Sequence, residues 1–262
     1  MEEPKPQIED SGKVGFKTRK LNNKVLWGLS LGLLVVVLFE IGGWVANTSI
    51  LSSVTGLGES IESDLTARGD AYVTLDQAPP DLLSGLVAVE DKRFYEHNGI
   101  DWIRVAGALW ANLKAHRVVE GGSTITEQLV DSAVLRDEEK GLSSKLQAML
   151  LAQRVEQAYT KDQILEFYLN AVYYGPGSYG IDAASGNYFR EAPSDLDPIK
   201  QLFLAGVVQG PALYDPSSQC SAARERLDAV IDARLDIQTL SAAEAEDLKA
   251  TPLVHANGVC RA

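Results

Sequence analysis

The longest apolar stretch of the sequence lies near its N-terminus, over residues 25–46, where Glu40 is the only charged residue. A helix of about 20 apolar residues can cross the hydrocarbon core of a bilayer, which is about 30 Å thick. The residues before this stretch include the bases Lys17, Arg19, Lys20 and Lys24. Because basic flanks stay on the cytoplasmic side, we expect one transmembrane helix over 25–46 and a cytoplasmic tail over 1–24. A cleaved signal peptide is the alternative, although the stretch is long for one.

From position 81 onward, apolar residues recur at the three- to four-residue spacing of amphipathic helices. Gly121 and Gly122 interrupt the pattern, and Ser123 or Thr124 can then cap a new helix. Tyr72 to Leu75 is the only segment that suggests a strand. The pattern predicts helices over residues 81–90, 101–115, 142–159, 161–174, 200–209, 222–235 and 242–249. The fold class is therefore mainly α.

These elements divide the chain into segments. Residues 47–70 are rich in Ser, Thr and Gly and predict a juxtamembrane linker. We expect the folded domain over residues 71–240 and a C-terminal tail over 241–262. With 262 residues in all, the part outside the membrane is long enough for one domain with a sizeable core.

Charge narrows the classes of partner. The formal net charge is −12, and residues 1–24 hold six bases against four acids, so the remaining residues carry −14. A body this acidic argues against nucleic-acid binding, which needs clustered Lys and Arg. It also gives no general attraction to anionic lipid, so contact with a membrane must come from apolar residues.

The cysteines and histidines give little sign of a metal site. Cys220 and Cys260 are the only cysteines, and no CxxC or HExxH motif occurs. In an oxidising compartment the two could pair or stay free, and the sequence leaves both states open.

Two motifs carry a resemblance to a known family. Residues 90–101 (EDKRFYEHNGID) match E-D-x-x-F-x-x-H-x-G-x-D at every fixed position, and residues 122–128 (GSTITEQ) match a second signature. Residues 161–175 resemble a third block, and 179–189 a fourth. The sequence thus resembles glycosyltransferase family 51, which comprises monofunctional peptidoglycan transglycosylases and the glycosyltransferase halves of class A penicillin-binding proteins.

The resemblance implies a fold and a reaction. The fold would be a lysozyme-like helical lobe beside a smaller membrane-dipping lobe. In the reaction, the sugar 4-hydroxyl of one lipid II attacks the anomeric carbon of a growing glycan chain, and lipid pyrophosphate departs. The protein would lie in the bacterial cytoplasmic membrane as a single-pass protein with its catalytic domain outside. Neither S-x-x-K nor K-T-G occurs, so the resemblance is to a polymerase without a serine transpeptidase.

The same resemblance assigns candidate residues. Glu90 would be the general base, and we expect apolar surroundings for it because it follows Leu86, Val87, Ala88 and Val89. Phe94 is most simply a core aromatic residue, and Ser123 and Thr124 can equally be helix caps. The candidates for substrate binding are Asp91, Phe94, Ser123, Thr124, Gln128, Lys140 and Lys145.

Several positions depart from the family on the side that should bind the leaving pyrophosphate, where the transition state gains negative charge. Asp131 stands where the family has Lys, and Gly107 where it has Arg. The third signature, R-K-x-x-E, becomes Ser144, Lys145 and Ala148 here, so its Arg and the family's second catalytic Glu are absent. A Gln-Gln pair of the family becomes Glu127 and Gln128.

These departures leave alternatives open. Lys140 or Lys145 could replace the missing charge, or a divalent cation (Mg or Mn) could bridge Asp131 or Glu127 to the pyrophosphate. The chain could also be a non-catalytic or altered-substrate relative that binds lipid-linked glycan or partner proteins of cell-wall synthesis.

Overall fold

The computed structural model describes residues 54–117 and 121–261. The cytoplasmic tail predicted over 1–24 and the transmembrane helix predicted over 25–46 lie outside the described residues. Within the described ranges, no helix combines the length and apolar character needed to cross a membrane.

The described part of the chain is mostly helical, as the apolar spacing predicts. Two short 3₁₀ helices (Phe94–Glu96 and Pro193–Asp195) and two antiparallel hairpins complete it. The hairpins are β1 (Tyr173–Gly175) with β2 (Ser178–Tyr179), and β3 (Leu253–His255) with β4 (Gly258–Cys260). The α-helices are α1 (Leu57–Arg68), α2 (Pro80–Glu90), α3 (Trp102–Ala115), α4 (Ile125–Ala133), α5 (Leu142–Ala158), α6 (Lys161–Ala171), α7 (Ile181–Phe189), α8 (Pro198–Val207), α9 (Cys220–Asp236) and α10 (Ala242–Ala250).

Helices α2, α8 and α9 pack against one another and carry Glu90 at the end of α2. Two glycines allow this close packing. A Cβ on Gly85 would lie 2.9 Å from the Cβ of Ala205, and one on Gly206 would lie 3.0 Å from a methyl of Val230. Larger residues at either position would force the helices apart, because interiors are packed to the density of organic crystals.

Helix α4 packs between α5 and α6 through the fully buried side chains of Ile125, Leu129 and Val130. The loop after α2 reaches this group at Gly99, whose φ is +89°. A Cβ there would lie 2.8 Å from the backbone of Ala152 on α5. Only glycine fits this contact, which places the first signature against α5.

The segment predicted as a linker is partly a helix of the domain. Helix α1 occupies residues 57–68, and its Leu57, Ile61 and Leu65 are buried. Tyr159 also stabilises the start of α1, since the backbone N–H of Leu57 donates to the Tyr159 hydroxyl (3.2 Å). The Ser, Thr and Gly content of 47–70 suggested a linker, but a buried face at four-residue spacing outweighs composition.

The strand predicted over Tyr72 to Leu75 is not formed. In place of a partner strand, the side chain of Asn170 binds the backbone of this segment. The N–H of Val73 donates to the amide oxygen of Asn170 (2.9 Å), and the amide nitrogen of Asn170 donates to the Val73 carbonyl (2.8 Å). The backbone groups are satisfied without a sheet.

The predicted C-terminal tail folds onto the domain. Helix α10 and the β3–β4 hairpin occupy it, and a disulfide joins Cys260 to Cys220 at the start of α9, with Cα atoms 5.5 Å apart. Leu253 is fully buried, and the N–H of Ala256 donates to the carbonyl of Tyr188 (2.7 Å). Residues 241–261 are therefore part of the folded domain.

Helix α3 carries the apolar side predicted for residues 101–115, and that side faces outward. Ala108 is the only buried residue of the helix. Its large apolar side chains are among the most exposed of the described residues: Trp102, Ile103, Leu109, Trp110 and Leu113.

Candidate active site

Glu90 is the last residue of α2, where the chain turns out of the helix. Its carboxylate accepts one hydrogen bond from the guanidinium of Arg226 on α9 (2.8 Å) and one from the amide nitrogen of Gln128 on α4 (3.0 Å). About 8% of the side chain remains exposed. We expected apolar surroundings for Glu90 from residues 86–89, but its carboxylate oxygens contact polar groups instead. Residues 86–89 lie along the helix, whereas the carboxylate points to α4 and α9.

Asp91 is fully buried and joins the two signatures. One carboxylate oxygen accepts hydrogen bonds from the N–H of Ile125 (3.1 Å) and from His97 (2.9 Å). Phe94 is also fully buried, with the ammonium of Lys161 4.4 Å from its ring centre. Both residues were candidates for substrate binding, but the structure gives them positions inside the domain.

Thr124 caps α4. Its hydroxyl accepts from the N–H of Glu127 (3.1 Å) and donates to the carbonyl of Gly99 (2.7 Å), so its hydrogen-bonding capacity is used within the protein. Ser123 is half-buried and accepts a hydrogen bond from the ammonium of Lys145 (2.7 Å). The hydroxyls of Ser123 and Thr124 therefore have different partners, the first a cation and the second the backbone of the domain.

Lys145 forms an ion pair with Glu127. The Glu127 carboxylate is almost completely buried, whereas about 38% of the Lys145 side chain is exposed. Burial raises the pKa of Glu127, and Lys145 opposes this effect. Lys145, the cation retained from the third signature, is thus partly open to solvent, but it is paired with Glu127.

The other positions that depart from the family are spread out. Lys140 lies 3.7 Å from Asp131 in an exposed pair, a kind that stabilises weakly because water and salt screen it. Gly107 lies at the edge of a cavity of about 550 Å³ that Lys92 and Arg104 also line.

Positions 144 and 148 of α5 serve the helix itself. Ser144 is buried and accepts a hydrogen bond from the N–H of Gly141 (2.8 Å), which caps α5. Ala148 is fully buried in the packed face of α5. The position of the family's second catalytic Glu thus holds a small core residue here.

The divalent-cation hypothesis receives no support from the acids that prompted it. Glu127 is paired with Lys145, and Asp131 with Lys140. Among residues 54–117 and 121–261, no three His, Cys, Asp or Glu side chains come together as a metal site would require.

Two residues of the site were not among the candidates. Arg226 begins a segment that resembles the family's R-R-x-x-V-L pattern, and Tyr168 lies in the third block. The Tyr168 hydroxyl donates to the amide oxygen of Gln128 (3.0 Å), and Arg226 binds Glu90 directly. The motifs that contain Arg226 and Tyr168 were the sequence signal for these two residues. A motif does not indicate which side chains contact one another in the fold.

Comparisons with known proteins agree with the signatures. A family model described as transglycosylase matches residues 58–234. Penicillin-binding protein 2D of Bacillus subtilis (strain 168) is 39% identical over 182 residues, covering 70% of this chain and 26% of that protein. A putative transglycosylase of Cupriavidus necator is 34% identical over 230 residues, covering 88% of this chain and 98% of that protein.

A crystal structure of penicillin-binding protein 1A from Haemophilus influenzae aligns over 72% of this chain and 18% of its own, with 18% identity and a TM-score of 0.44. The chain spans about a quarter of the length of the Bacillus subtilis penicillin-binding proteins it matches. From the extent of the family match and the full-length similarity to the Cupriavidus protein, the chain belongs to the transglycosylase family, glycosyltransferase family 51.

Proposed function

We propose that this protein is a peptidoglycan glycosyltransferase that polymerises lipid II into glycan strands and releases lipid pyrophosphate. The observation that carries the proposal is the setting of Glu90, the acid of the first signature. Its carboxylate is bound by Arg226 and Gln128, and part of the side chain remains open. Both partners donate to the carboxylate, so they fix the position of its two oxygens.

In the proposed reaction, Glu90 takes the proton from the 4-hydroxyl of the acceptor sugar. The hydroxyl oxygen bonds to the anomeric carbon of the donor, and the bond from that carbon to the pyrophosphate breaks. The pyrophosphate leaves with the electron pair and gains negative charge. A positioned base contributes about 10²- to 10⁴-fold to such a step.

Lys145 is our candidate for the cation at the leaving group. It is the retained base of the third signature, it is partly exposed, and its ammonium already binds the Ser123 hydroxyl of the second signature. A cation near the departing oxygens stabilises charge that appears only in the transition state. Its ion pair with Glu127 reduces this effect, and the reaction must loosen that pair.

Labelled lipid II tests the activity directly. Purified protein should convert it into glycan chains with release of lipid pyrophosphate. Binding of lipid II without any chain formation would overturn the proposal and favour the alternative of a non-catalytic relative.

We further propose that the domain rests on the outer face of the bacterial cytoplasmic membrane, behind the anchor predicted over 25–46. The support is the outward apolar side of α3, since apolar patches of this kind usually mark an interaction surface. The Cys220–Cys260 disulfide is consistent with a compartment outside the cytoplasm, where disulfides persist. We also propose that the protein binds partner proteins of cell-wall synthesis.

Tryptophan fluorescence can test the membrane contact. The chain has four tryptophans, so a variant with Trp27→Phe and Trp44→Phe keeps only Trp102 and Trp110, both on α3. In proteoliposomes, lipids brominated near the headgroup should quench this variant's emission. Adding Trp110→Phe should leave a weaker signal that is still quenched. Emission that brominated lipid leaves unchanged would contradict the contact.

A further inference from the structure

A chain of side-chain hydrogen bonds leads from the core to the carboxylate of Glu90. The hydroxyl of Tyr168 on α6 donates to the amide oxygen of Gln128 on α4 (3.0 Å). The amide nitrogen of Gln128 donates to Glu90 on α2 (3.0 Å). Three helices that are distant in sequence thus meet at one amide group.

The chemistry of the three groups fixes the orientation of that amide. An ionised carboxylate only accepts hydrogen bonds, so the NH₂ of Gln128 must face Glu90 and its oxygen must face Tyr168. Tyr168 is fully buried, and burial together with the nearby charge of Glu90 holds its pKa well above the ordinary value. The phenol therefore keeps its proton and remains a donor to the amide oxygen.

A buried tyrosine does not by itself require such a bond. Tyr174 is also fully buried, yet its hydroxyl has no hydrogen-bond partner within the described part of the chain. Tyr174 is thus a buried tyrosine without a hydroxyl partner among the described residues, whereas the hydroxyl of Tyr168 is directed at the residue that binds Glu90.

We infer that Tyr168 is a positioning residue for the glycosyl transfer, acting through Gln128 on Glu90. Its hydroxyl prevents the Gln128 amide from rotating, and the fixed amide keeps one carboxylate oxygen in place while Arg226 holds the other. The role concerns the orientation of the base rather than the binding of substrate, so it should affect kcat more than KM. The inference rests on the proposed function.

The test compares four variants of the full-length protein in detergent with lipid II as substrate: Tyr168→Phe, Gln128→Ala, their combination, and Tyr174→Phe as the matched control. Each Tyr→Phe change removes one buried hydroxyl and keeps the ring. We expect Tyr168→Phe to lower kcat by about five- to tenfold, the effect of one lost hydrogen bond, with KM changed by less than about twofold. Tyr174→Phe should behave as wild type.

The double variant distinguishes positioning from a general loss of structure. If Tyr168 acts through Gln128, Tyr168→Phe should lower kcat no further once Gln128 is Ala. Full multiplication of the two effects would overturn the inference, as would equal kcat values for Tyr168→Phe and Tyr174→Phe. Wild-type protein that makes no glycan would instead overturn the proposed function, and the positioning role with it.

Discussion

Glu90 has the two properties that a general base on this domain requires. Its carboxylate is nearly buried, and Arg226 and Gln128 both donate hydrogen bonds to it. A fraction of its side chain is open, so an acceptor hydroxyl can reach it. At the residue scale, the site is therefore built around one carboxylate with two fixed donors.

The pair formed by Glu127 and Lys145 is the main departure from the family at this scale. Glu127 stands where the family has Gln, and its carboxylate engages the cation that the third signature retains. The carboxylate is nearly buried, and burial raises its pKa despite the adjacent ammonium. The buried position of Glu127 thus disfavours the ionised form of its carboxylate.

This arrangement predicts a pH dependence of stability. Since the folded-state pKa of Glu127 lies above its ordinary value of 4.5, the folded protein binds the proton more tightly than the unfolded chain does. The stability that Glu127 contributes is therefore fully present below about pH 4.5 and is lost as pH rises through the raised pKa. Glu127→Gln should remove this dependence. Urea unfolding between about pH 4 and 7 would show the difference.

The control for this prediction is Glu96→Gln, which makes the same chemical change at an exposed acid of the first signature. Its pH dependence should follow that of wild type. If Glu127→Gln also followed wild type across this range, the carboxylate would have no raised pKa in the folded protein.

At the scale of elements, the sequence predicted most of the helices. It predicted less well where a helix ends and which distant residues it contacts. The helix predicted over 161–174 ends at Ala171, because Val172 leaves the helix and Tyr173 begins the β1–β2 hairpin. Helix α1 was missed because its three buried residues lie among polar ones and only packing reveals them. The backbone of Val73 is bound by Asn170, 97 positions away, which no local pattern indicates.

The same limit applies to the site. The first signature located Glu90, Asp91 and Phe94, but it could not show that only Glu90 keeps an open edge. Arg226, the ion-pair partner of Glu90, lies 136 positions along the chain. Periodicity specifies which face of a helix is buried, and it carries no information about which distant side chain completes a polar site.

The C-terminal hairpin gives a prediction at this scale. The Cys220–Cys260 disulfide closes a loop of 40 residues, which in the chain-entropy model stabilises the folded state by about 4 kcal/mol. Replacing both cysteines with Ala should lower the free energy of unfolding by roughly that amount, measured by urea denaturation. Reductant should destabilise wild type to a similar extent and leave the double variant unchanged. Equal stability of wild type and double variant would show that the bond does not constrain the unfolded chain.

At the scale of the whole molecule, charge and apolar surface bear on the proposed contact with a membrane. The net charge of −12 gives no electrostatic attraction to an anionic membrane, so the proposal relies on the exposed apolar side of α3. A lipid-linked substrate lies in the same bilayer, so such a contact would bring the site to the substrate's sugars. In the proposed reaction, the absence of several family cations lowers the expected rate, because less positive charge is available to stabilise the departing pyrophosphate.

The central claim is that Glu90 is the base of a lipid II polymerase, and the rate of glycan formation by Glu90→Gln tests it most directly. We predict that wild type and Glu96→Gln form glycan chains from lipid II at similar rates, while Glu90→Gln is slower by at least about 100-fold. The Gln side chain keeps the size of Glu90 but cannot accept the proton. Polymerisation by Glu90→Gln at the wild-type rate would contradict the claim.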